Sequence, residues 1–118
     1  MILVDTSVWI EHLRVGTERL KSLLLDGQVL CHPLIIGELA CGTLQKRNEI
    51  LTALKALPQA DRLEYEEVLN FLEARQLYGR GLGWVDAHLL ASALITGCSL
   101  WTLDKPLRRA AGTLAISA

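Results

Sequence analysis

Cysteine is sparse and unpaired in number: Cys31, Cys41 and Cys98 show no CxxC spacing, which argues against a disulfide framework and against a structural zinc site. They read as buried thiols in a reducing cytoplasm. Long hydrophobic runs are also missing. The longest, Leu89 to Leu103, contains Ser, Thr and Gly and falls short of a bilayer span. The opening segment MILVD has no basic n-region, and Asp5 interrupts its apolar run, so no membrane or secretion signal is read and a cytoplasmic location is expected. Charge is scarce too. Charged residues make up 21% of the chain and the net charge is −1, which argues against a uniformly basic nucleic-acid binder; contact with RNA or DNA would have to come from local Lys/Arg patches. Internal repeats, low-complexity tracts and linkers are absent, so residues 1–118 read as a single domain that carries any activity itself.

What is present is apolar. Hydrophobic residues reach 51%, which excludes disorder and predicts buried partner surface, as an oligomer or a complex. Met1 to Val4 reads as a strand buried on both faces, followed by a helix to about Arg14 that Thr6 or Ser7 would cap. A second helix is predicted over Thr17 to Asp26 and a second strand over Gln28 to Cys31. Pro33 suits the first turn of a third helix running to about Leu44, and amphipathic patterns cover Lys46 to Leu57 and Leu63 to Tyr78. A glycine-containing loop, 79–83, precedes an Ala/Leu-rich helix from Asp86 to Ile95 that Gly97 stops. Ser99 to Leu103 reads as the third strong strand, Lys105 to Ala111 as a short helix, and Leu114 to Ile116 as a candidate edge strand. Strands alternating with helices predict an α/β fold, with an open, mainly parallel sheet covered on both faces in a three-layer α/β/α sandwich.

Four acids stand out against this background. Asp5 closes the first apolar run, Glu38 lies among Ile35, Ile36, Leu39 and Ala40, Asp86 opens a helix and Asp104 ends the last strong strand. A carboxylate in apolar sequence is costly unless paired or coordinated. Asp5 and Asp104 fall at strand ends, where open parallel sheets bind ligands. At about 4 Å and an effective dielectric near 20, one like-charge pair costs roughly 4 kcal/mol, so a cluster of such acids calls for a cation. Oxygen ligands of this kind suit Mg²⁺ or Mn²⁺, which can support phosphodiester hydrolysis. Each acid also has a plainer reading: Asp5 and Asp86 as helix caps, Asp104 as a turn acid before Pro106. Lys105, Arg108 and Arg109 share a helical face beyond Asp104, where they would meet phosphates or simply solvent. His12, His32 and His88 lack ligand spacing, so surface or supporting roles are expected; Trp9, Trp84 and Trp101 read as core.

The ordered segments MILVDTSVWIEHL, IIGELACGTL, GLGWVDAHLLASAL and SLWTLDKPL resemble a PIN domain, specifically a VapC-type toxin ribonuclease, over nearly the whole chain. The resemblance implies a metal-dependent endoribonuclease of a type II toxin-antitoxin system, with Asp5, Glu38, Asp86 and Asp104 as metal site and Ser7 and Thr102 as assisting hydroxyls. It further implies a VapB-like antitoxin, an RNA substrate and a homodimer. Alternatives are a non-catalytic interaction module on the same scaffold and a nuclease of RNA processing. A haloacid-dehalogenase-like phosphatase would need a second acid where Ser7 stands, and a response-regulator receiver would leave Glu38 unexplained.

Overall fold

The computed structural model describes residues 1–118 and contains a three-stranded sheet among seven helices. The strands are β1 (Ile2–Val4), β2 (Val29–Leu30) and β3 (Ser99–Trp101), in the order β2-β1-β3 with both pairings parallel. Ile2 pairs with Val29 on one side and Ser99 on the other, and Val4 meets Trp101. Leu3, Val4, Val29, Leu30 and Leu100 are buried, as expected when both faces of a parallel sheet are covered. All three strands are shorter than the apolar runs predicted. β3 ends at Trp101, and beyond it the N–H groups of Leu103 and Asp104 leave the ladder, Leu103 for the Ser7 hydroxyl and Asp104 for that of Thr102.

The helices are α1 (Thr6–Val15), α2 (Glu18–Leu25), α3 (Pro33–Cys41), α4 (Arg47–Ala56), α5 (Tyr65–Ala74), α6 (Trp84–Thr96) and α7 (Lys105–Thr113). α3 packs on α1 and α4, whereas α6 packs on β3, α5 and α7. The longest helix, α6, buries Ala87, Leu89, Leu90, Ala91 and Ala93, and its small alanines allow close approach to the sheet. It ends at Gly97, whose φ of +76° is the left-handed conformation that glycine accommodates. No helix is long and apolar enough to cross a membrane.

Several expectations need correction. Residues 114–116 form no strand; the tail makes only an isolated bridge, Leu100 to Ser117. The helix expected to reach Tyr78 stops at Ala74, since Gln76 turns to a φ of +54° and Leu77 folds inward. Neither Thr6 nor Ser7 caps α1; both lie inside its first turn, and Asp5 holds the cap position without a capping side-chain bond. Cys31 and Cys98 are buried, but Cys41 is exposed at the end of α3. Trp9 is core, whereas Trp84 is 40% exposed and packs on Tyr65 and His88 at the start of α6. His32 is no surface residue: it is buried and caps α3.

Candidate active site

The central position of β1 sets the site. Its C-terminal end delivers Asp5 beside the end of β3, where the Asp5 N–H continues the ladder to the Trp101 carbonyl at 2.9 Å. Asp5 is 6% exposed, and its Oδ2 accepts from Ser7 Oγ at 2.7 Å and from Thr102 Oγ1 at 2.8 Å. Each hydroxyl spends its one proton on the carboxylate while accepting a backbone N–H, from Leu103 to Ser7 and from Asp104 to Thr102, both at 3.0 Å. Backbone amides are thus relayed through hydroxyls to one carboxylate oxygen, which satisfies a buried charge without any cation partner.

The other acids arrive from separate helices. Glu38 sits on α3, and its Oε1 accepts from Thr6 Oγ1 of α1 at 2.6 Å. Glu38 is exposed, contrary to its apolar sequence context, because Ile35 and Leu39 turn to the core and leave Glu38 beside that stripe, toward solvent. Asp86, in the first turn of α6, accepts the Gly83 N–H on Oδ2 at 3.0 Å. Asp104 caps α7, accepting the Leu107 N–H on Oδ2 at 3.0 Å, and is likewise exposed. The capping reading of Asp86 therefore holds, whereas Asp104, read as a turn acid, is a helix cap; both roles are compatible with a second one.

Electrostatics link the four. Burial pushes the Asp86 carboxyl above its ordinary value; the Gly83 N–H opposes this, and the negative charges of Asp5, Asp104 and Glu38 push it further up. None of these acids has a salt-bridge partner, since the single ion pair is Arg14 with Glu11. Each also keeps one carboxylate oxygen free of protein hydrogen bonds: Oδ1 of Asp5, Asp86 and Asp104, and Oε2 of Glu38. The Asp5 Oδ1 is not sealed away, for the only buried polar side-chain atoms without a partner are Trp9 Nε1, His32 Nε2 and Ser92 Oγ. The acids do not close into a cage, as no three His, Cys, Asp or Glu side chains converge tightly enough to hold a metal ion. The donor set nonetheless fits a hard divalent cation in chemistry, with four oxygen donors, uncompensated negative charge and no competing soft ligand.

Lys105, Arg108 and Arg109 are all exposed on α7. They differ in attachment. Arg108 donates from Nη2 to the Thr102 carbonyl at 3.3 Å, which ties its guanidinium to the segment that holds Asp5. Lys105 and Arg109 make no side-chain hydrogen bond. Thr6 is a site residue that nothing in the sequence distinguishes, since its link to Glu38 spans 32 positions. Beside the site, α1, α3 and α4 enclose a groove of about 730 Å³ lined by Ile10, Leu13, Leu39 and Ile50, with Glu38 on its wall.

A family model described as PIN domain matches residues 2–113. Ribonuclease VapC32 of Mycobacterium tuberculosis, in each of two strains, is 53% identical over 111 residues, spanning 93% of this chain and 90% of the relative.

Proposed function

The chain belongs to the PIN domain family, and from that membership we propose that it is the toxin ribonuclease of a type II toxin-antitoxin system, an endoribonuclease that uses Mg²⁺ or Mn²⁺ held by Asp5, Glu38, Asp86 and Asp104. The observation that carries the reading is the shared field of the four acids. Asp86 feels the other three, none is neutralised by a cation, and each retains one free oxygen. When bound, the divalent ion would supply an activated water and a clamp on the scissile phosphate. The chain's own residues do the rest. Ser7 and Thr102 orient Asp5 through Oδ2, the caps of α6 and α7 fix Asp86 and Asp104, and Arg108 meets the RNA backbone.

The test is hydrolysis of total RNA by the purified protein with Mg²⁺ or Mn²⁺. Cleavage is expected with either ion and is expected to stop when EDTA is added; cleavage that persists in EDTA would remove the metal from the reaction. Absence of cleavage beside intact ion binding would favour the non-catalytic module.

Arg108 gives a second expected result. A phosphate contact carries no sequence information but contributes to salt dependence, at about 0.7 in the slope of log affinity against log salt per contact on single strands. Arg108→Gln is expected to weaken RNA binding uniformly across sequences and reduce that slope by about this amount, read by fluorescence anisotropy on short RNAs. Lys105→Gln and Arg109→Gln are expected to do less, because their side chains are untethered. An unchanged slope in Arg108→Gln would place the phosphates elsewhere.

The partner implied by this reading is a VapB-like antitoxin. The groove between α1, α3 and α4 suits it, because Ile10 is 54% exposed there and Glu38 borders the same space, so an apolar segment seated in it would also reach the acids. The protein is further proposed to act in the cytoplasm and as a homodimer.

A further inference from the structure

Thr6 lies in the first turn of α1, one residue past Asp5, and its hydroxyl crosses to α3 to reach Glu38 Oε1. At 2.6 Å this is the shortest of the side-chain hydrogen bonds. Glu38 is exposed and has no cation partner, and this hydroxyl is its only hydrogen-bond donor. A solvent-exposed glutamate otherwise spreads over several rotamers, so a single short bond to a rigid helix decides where its carboxylate sits. The pattern matches the other three acids, each of which has one oxygen engaged and the other open.

We propose that Thr6 is a positioning residue: by engaging Oε1 of Glu38, it leaves Oε2 as the one oxygen this glutamate offers to the divalent ion. The inference rests on the nuclease reading above. Its consequence concerns which ion is favoured. Carboxylates that offer single oxygens suit a small cation demanding octahedral geometry, whereas a carboxylate free to bind through both oxygens suits the larger and more flexible Ca²⁺. Removing the Thr6 hydroxyl releases Oε1 and frees Glu38 to use both.

Mn²⁺ and Ca²⁺ binding to the full chain can be measured by calorimetry for the wild type, Thr6→Val, Thr6→Ala and Thr6→Ser, with melting in EDTA confirming that each is folded. Loss of a group that orients a metal ligand typically costs about 10- to 100-fold. Thr6→Val and Thr6→Ala are expected to lose Mn²⁺ affinity by at least about tenfold and to discriminate less against Ca²⁺, with Thr6→Ser restoring both. In a Glu38→Gln background, Thr6→Val is expected to have little further effect, because the two residues act through one carboxylate. Wild-type Mn²⁺ affinity and selectivity in Thr6→Val would overturn the proposal, as would an equal loss in the Glu38→Gln background. A wild type that binds no Mn²⁺ would overturn instead the nuclease reading on which it rests.

Discussion

Replacing Asp5 by asparagine is expected to reduce RNA cleavage by about a thousandfold, equivalent to roughly 4 kcal/mol of lost transition-state stabilisation. Asparagine matches aspartate in shape, and its carbonyl oxygen can still accept from Ser7 and Thr102, so the local network survives. What disappears is the negative charge. Because that charge is buried and also disfavours ionisation of Asp86, its removal is expected to leave stability in EDTA unchanged or higher. A paired measurement separates function from folding: gel-resolved cleavage of total RNA with Mn²⁺, and urea unfolding without metal. Activity within threefold of wild type would remove Asp5 from the chemistry. Lost activity accompanied by a lowered unfolding midpoint would mean that the substitution acts through the fold.

The second large effect is on stability, and it comes from His32. Its Nδ1 accepts the Leu34 N–H at 3.0 Å and so caps α3, which requires that nitrogen to be unprotonated. Burial, reinforced by the positive charges of His88 and Arg62, lowers its pKa from 6.5 to about 4. The unfolded chain thus takes up the proton first as pH falls. The stabilisation is fully present above pH 6.5 and is lost progressively toward pH 4. At roughly 1.4 kcal/mol per pH unit between the two values, the loss amounts to about 3 kcal/mol. Asparagine is a good helix cap without a titrating ring, so His32→Asn is expected to flatten this part of the stability profile. Urea midpoints from pH 7 to pH 4.5 for both proteins provide the check. Parallel profiles would show that acid acts through other groups.

The order of elements was legible because each had a physical marker. Pro33 opens α3, Gly97 closes α6, and the apolar runs at residues 1–4 and 99–103 each contain a strand of the sheet. Asp5 was legible for the same reason, as an acid ending such a strand. Glu38 shows where linear reading fails. Apolar neighbours at adjacent positions imply burial in a strand, but on a helix they point to other faces, and this glutamate is exposed. The convergence of the acids depended on topology. Asp5 and Thr102 meet because β1 is central and β3 is its neighbour, a pairing between segments almost a hundred residues apart. Thr6 was illegible because an exposed-face threonine in a first helical turn is unremarkable until α3 is placed against it.

The placement of β1 between β2 and β3 also bears on synthesis. The Asp5 carboxylate is held by a residue 97 positions further on, and the last of the four acids follows it. Contacts so distant form only after the intervening chain is available. The growing chain therefore carries Asp5 without the hydroxyl that pins it until Thr102 has been added. The acid cluster is thus completed only by the segment between β3 and α7, which carries Thr102 and Asp104.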